Sequence, residues 1–166
     1  MDFNELKKAL AKEAKEAGIC QEWYDYILNA SSKERLMALY FGGFDFVEAN
    51  NYPSEKLIRE FADILHHYNV YIREQFNARN PRRLVAYTEA TGTAYFTEFS
   101  VSQIWLRPGS EMKVKATGHS YITIDVVSGA KASILATEHS KVIVYNHGGT
   151  ITKEAIDKAV ITIKDK

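Results

Sequence analysis

From Val101 to Thr150 the chain repeats every ten residues, and this period constrains the fold more than any other feature. In tens the segment reads VSQIWLRPGS, EMKVKATGHS, YITIDVVSGA, KASILATEHS and KVIVYNHGGT. The fourth column is Ile104, Val114, Ile124, Ile134 and Val144, all β-branched and aliphatic. The tenth is Ser110, Ser120, Ala130, Ser140 and Thr150, all small. The first pattern marks strand centres and the second marks tight corners.

A second period lies inside the first. The ninth column alternates Gly109, His119, Gly129, His139 and Gly149, and the sixth alternates Leu106, Ala116, Val126 and Ala136 before Asn146. Alternate blocks therefore occupy equivalent places. The pattern predicts a small, flattened, right-handed β-solenoid with two strands and two corners per coil, coils stacking at about 4.8 Å. Residue n then lies beside n+20, so His119 neighbours His139 and Ile124 neighbours Val144. The rival is an antiparallel β-meander or sandwich, which also carries short strands separated by regular turn signals. The hexapeptide acyltransferase repeat is absent. Asp125 is the single aspartate of the repeat, which argues against a calcium-bound solenoid, since a hard cation needs several oxygen ligands.

At 166 residues with 46% apolar content, the chain is long enough to bury a true core. Residues 1–80 hold 10 basic and 13 acidic side chains and residues 81–166 hold 11 and 8, an asymmetry too mild to argue for nucleic acid or membrane. Cys20 is the single cysteine, so no intrachain disulfide can form. No apolar run has the length of a signal peptide or a membrane span, and the expected compartment is cytoplasmic.

The first eighty residues read as helices. Asp2 with Glu5 forms a capping box ahead of Phe3, Leu6, Leu10 and Ala14, with Gly18 as the stop, giving a helix over about 3–17. Trp23, Tyr24, Tyr26, Ile27 and Leu28 make a short aromatic helix. Ser31 with Glu34 predicts another capping box, and Gly42-Gly43 ends that helix. Phe44, Phe46 and Val47 suggest a further turn, and Pro53-Ser54 opens a helix ending near Tyr68. Residues 70–83 carry no clear pattern. Beyond Pro81 only Lys153–Lys158 suggests helix, and Ala159–Ile163 reads as a last strand covering the stack.

Taken together, the run from Gly18 to Phe61, then NPRRLVAYTEATGTAYF and the strand ladder, resembles an uncharacterised bacterial family associated with prophages and other mobile elements. The resemblance implies a helical N-terminal half, a short C-terminal β-solenoid and a role in mobile-element biology. It carries no activity, ligand or catalytic residue.

Candidate chemistry is sparse. His119, His139 and His147 with Glu138 offer imidazole and carboxylate ligands, but no cysteine or well-spaced further ligand completes a zinc site, and no metal or cofactor is expected. His66-His67 suits the C-terminus of a helix. No Gly-x-Ser-x-Gly and no phosphate-binding glycine loop occurs, and Cys20 among aromatic helical residues reads as a buried, inert thiol. The expectation is a protein that is not an enzyme. Arg73, Arg79, Arg82 and Arg83 interleave with Tyr68, Tyr71, Phe76 and Tyr87 as a single-strand groove would require, although a junction of aromatic glue and snorkelling arginines explains the same residues.

The outward columns divide the two sheets. One carries Val101, Trp105, Arg107, Tyr121, Asp125, Val127, Lys141, Tyr145 and His147; the other carries Glu111, Lys113, Lys115, Thr117, Lys131, Ser133 and Thr137, with Leu135 as the exception. The aromatic sheet, with Trp105, Arg107, Tyr121, Asp125 and Tyr145, is either a partner face or an internal joint covered by the helices. The joint is the expectation. The sequence therefore predicts an α+β protein, residues 1–80 helical and 81–166 solenoid, packed together as one unit. Its expected role is a non-catalytic protein-interaction or structural module with an unidentified protein partner. The alternatives are a carbohydrate-binding or virion-appendage module, and a small nucleic-acid binder using Arg79, Arg82 and Arg83.

Overall fold

The computed structural model describes residues 1–166 as an α+β protein dominated by a β-solenoid of parallel strands with about five turns. The chain divides into two compact units, Met1–Ile64 and Leu65–Lys166.

The first unit holds five helices: α1 (Phe3–Glu16), α2 (Gln21–Leu28), α3 (Lys33–Gly42), α4 (Phe44–Ala49) and α5 (Glu55–Ile58). The capping box of α1 forms as its sequence requires: the Asp2 carboxylate accepts from Glu5 N at 2.8 Å and Asp2 N donates to Glu5 Oε2 at 3.0 Å. Leu6, Leu10, Ala11 and Ala14 lie on its buried face. The cap of α3 is Ser32 rather than Ser31, its hydroxyl accepting from Arg35 N. Cys20 is exposed at the N-cap of α2, contrary to the buried thiol expected. The helix expected to run from Ser54 to Tyr68 shortens to α5 followed by 3-10 turns at Arg59–Phe61 and Leu65–Tyr68. Lys33 Nζ closes part of this unit by donating to Asp63 Oδ1 at 2.7 Å and to the Glu60 carbonyl at 2.6 Å. That hydrogen bond holds the Asp63 carboxyl below its ordinary range.

In the second unit, strands begin at Val70, ahead of residue 81. They are β1 (Val70–Tyr71), β2 (Gln75–Arg79), β3 (Arg83–Ala86), β4 (Thr91–Phe96), β5 (Val101–Leu106), β6 (Glu111–Ala116), β7 (Tyr121–Val127), β8 (Lys131–Ala136), β9 (Lys141–His147), β10 (Thr150–Ala155) and β11 (Val160–Asp165). Odd strands form a six-stranded sheet and even strands a five-stranded one. Every pairing between strands is parallel, which excludes the antiparallel meander. Ile104 pairs with Ile124 and Ile124 with Val144, twenty residues apart as the period requires.

Coil length changes at both ends. In the first coil Val70 pairs with Val85 and Gln75 with Thr91, so that coil is four or five residues short. In the last, Lys131 pairs with Thr150 and Lys141 with Val160, one residue short. Thr150 therefore opens β10 instead of sitting at a corner, and Lys153–Lys158 is a strand end and a turn instead of a helix.

Alternation decides the interior. Even positions of each block point inward, and Ile104, Val114, Ile124, Ile134 and Val144 are all buried in one continuous core. The small tenth column also has a specific cause. The hydroxyls of Ser110, Ser120 and Ser140, all buried, donate to the carbonyls of Arg107, Thr117 and Thr137 at 2.6, 2.8 and 2.7 Å and so satisfy the corner backbone. Ser140→Ala should accordingly cost about 1 kcal/mol in chemical denaturation, whereas the exposed Ser133→Ala should be silent.

Candidate binding faces

Stacking places identical columns side by side, so each outer face is a grid set by sequence. On the six-stranded sheet one row runs Val85, Trp105, Asp125, Tyr145 and Lys164. The expected aromatic face is present but unevenly exposed. Trp105 (0%), Arg107 (5%) and Asp125 (8%) are out of solvent, Tyr145 is half-buried and Tyr121 is 40% exposed.

The buried charges on this face are matched locally. The Arg107 guanidinium lies 4.1 Å from the Tyr87 ring centroid and 5.1 Å from that of Trp105, within cation–π reach of both. His147 Nε2 sits 2.9 Å from Asp125 Oδ1, meeting the need of a desolvated carboxylate for a donor. Lys164 and Lys166 lie 5.7 and 4.7 Å from the Tyr145 ring. Tyr87 was legible only as a junction aromatic. Its ring gives the buried Arg107 guanidinium a cation–π partner.

The corners form ladders of their own. Phe99, His119 and His139 stack with ring centroids 5.0 and 4.8 Å apart, the two imidazoles parallel within 3°. His119 thus neighbours His139 as the coil repeat requires. Behind the rings, Glu98, Gly118, Glu138 and Asp157 share the left-handed conformation at φ of 54°, 63°, 58° and 57°. Gly118 N donates to the Glu138 carboxylate at 2.7 Å. The Glu138 carboxylate, a candidate metal ligand by residue type, therefore caps the neighbouring corner.

The five-stranded sheet presents a different surface. Its outward rows are Gln75, Thr91, Glu111, Lys131 and Thr150; Asn77, Thr93, Lys113, Ser133 and Thr152; and Arg79, Tyr95, Lys115, Leu135 and Glu154. All are exposed except the half-buried Thr93, Tyr95 and Leu135. A shallow groove of about 250 Å³ crosses β6, β8 and β10, lined among others by Lys113, Lys115, Ser133, Leu135, Thr152 and Glu154. The candidate arginines separate here. Arg79 stands beside Tyr95 on this grid, Arg82 is exposed at the corner between β2 and β3, and Arg83 opens β3 on the other sheet. Lys115 Nζ lies 5.5 Å from the Tyr95 ring, so the tyrosine has a cation on each side.

No helix in the structure is long and apolar enough to cross a membrane. Compared with protein-family models, curated proteins and solved structures, the chain shows no match.

Proposed function

We propose that the protein is a non-catalytic interaction module that presents the outer face of its five-stranded sheet to a protein partner. The observation that carries this reading is the grid itself: fifteen outward positions on five strands in fixed register, twelve of them exposed and only three half-buried. A stack of parallel strands holds such positions at about 4.8 Å intervals without mobile loops, so the entropy of ordering the surface is already met before binding. On the opposite sheet Arg107 lies against aromatic rings and Asp125 against His147, which supports structural over chemical roles for these three. Cytoplasmic residence, a right-handed winding sense following the crossover preference of parallel strands, and a place in mobile-element biology belong to the same reading.

A combined Lys113→Glu, Lys115→Glu and Lys131→Glu variant should retain the wild-type melting temperature. Its capture of the partner from host lysate should fall at least tenfold. Tyr121→Ser, on the other sheet, should leave capture unchanged. The reverse pattern would move the binding face to the aromatic sheet, where the carbohydrate-binding alternative places it.

The Arg79, Tyr95 and Lys115 row favours one second reading, single-stranded nucleic acid, because stacking between flanking cations is what an unpaired base requires. That reading predicts a salt-dependent oligonucleotide shift abolished by Tyr95→Ala.

A further inference from the structure

We infer that the protein pairs with a second copy of itself through the outer edge of β11, joining the two six-stranded sheets across a twofold axis. β11 stands at one edge of its sheet and pairs with β9 on its other side. Val160 N donates to the Ser140 carbonyl and Lys166 N to the Asn146 carbonyl, so amides of this parity face inward to the sheet. By alternation, those of Ile161, Ile163 and Asp165 face the open edge. The end of the core is open beside them: Ile151, Ala159, Ile161 and Ile163 pack on it only partly buried. Such an end is a template for another strand.

The sequence of β11 reads VITIKD, and it is self-complementary about Thr162. An antiparallel pairing centred there sets Ile161 against Ile163 of the second copy, twice, and both residues carry edge-facing amides. They become the hydrogen-bonded pairs, and Thr162 meets its own copy as the close, non-hydrogen-bonded pair. Ile161 and Ile163 are in register with the inward Val142 and Val144, so all four isoleucines extend the core across the axis. Lys164 faces Val160, and no like charges oppose each other within the strand.

Two features restrict the contact to this closed form. On the neighbouring edge, β10 places Lys153 in the inward column occupied by Val114 and Ile134, a charge that opposes apolar stacking there. At the other end of the solenoid β1 is only two residues long, and Tyr71 stacks on Phe76 at 4.5 Å. A head-to-tail stack would therefore match a six-residue strand to a two-residue one. A twofold contact closes on itself and yields a dimer instead of a fibre.

Analytical ultracentrifugation of the whole chain should give twice its 18.9 kDa, and Ile163→Lys should shift it to monomer while circular dichroism stays unchanged. The second test does not depend on that variant folding. Thr162→Cys in a Cys20→Ser background sets two thiols across the axis at about 4.5 Å between Cα atoms, within disulfide reach. Mild oxidation should give a covalent dimer, and Lys113→Cys in the same background should not. A wild-type monomer at tens of micromolar, or a dimer that neither cross-links at residue 162 nor responds to Ile163→Lys, would overturn the inference.

Discussion

Ile124→Asp is expected to destabilise the solenoid by about 4 kcal/mol or more, whereas Thr123→Asp, one position away, is expected to cost about 1 kcal/mol or less. Ile124 is fully buried between Ile104 and Val144, at the centre of the core column. A carboxylate there has neither water nor a donor, and its charged form is strongly disfavoured in an apolar interior. Thr123 points to the opposite face, half-buried between Gln103 and Ile143. Chemical denaturation of both variants measures the contrast. Equal losses would contradict the strand polarity on which both outer faces rest.

The second large effect is expected at Gly92. It occupies an inward place on β4, paired with Phe76 and Met112. A Cβ there would lie 2.3 Å from the Phe76 carbonyl oxygen and 2.6 Å from its ring. The ring is held in turn by stacking on Tyr71. Gly92→Ala must therefore displace a neighbouring strand as well as a side chain, and a loss of about 3 kcal/mol is expected. Gly129→Ala is the control. Its Cβ would meet nothing closer than 3.7 Å, so only the strain of its φ of 85° remains, about 1 kcal/mol. Similar melting temperatures for the two variants would contradict this packing of the first full coil.

The legible part of the fold is the part where coil length is constant. Between Val101 and His147 each coil has twenty residues, and the columns of the sequence become the ladders of the sheets. The same ten-residue grammar runs further back. In PRRLVAYTEA and TGTAYFTEFS, Leu84 and Ala94 occupy the fourth place and Ala90 and Ser100 the tenth. Neither Leu84 nor Ala94 is β-branched, and that weakens the signal. Before Pro81 the coil shortens and its corners turn at Arg73 and Asn80, in left-handed conformations without glycine. Strands at 70–79 therefore lack the period that reveals the others, although Asn80-Pro81 marks the corner that follows them. At the other end, one residue lost around Gly148-Gly149 shifts the register and makes Thr150 a strand residue.

The candidate faces were partly legible for the same reason. The division into an aromatic and a polar sheet follows from alternation alone. The grading of exposure does not, since Trp105 and Tyr121 occupy the same face yet are 0% and 40% exposed. Nor did composition reveal that Tyr95 lies between Arg79 and Lys115, because residues sixteen and twenty positions apart become neighbours only once coil lengths are known.

The central claim is the stacking register. The most direct measurement is a backbone amide and Hα NOE map of the isotopically labelled chain. It should connect residues twenty apart from Val101 to His147, such as Ile104 with Ile124 and Ile124 with Val144, and residues nineteen apart in the last coil, such as Lys131 with Thr150 and Lys141 with Val160. Antiparallel cross-peaks between successive blocks, such as Val101–Leu106 with Glu111–Ala116, would contradict the solenoid.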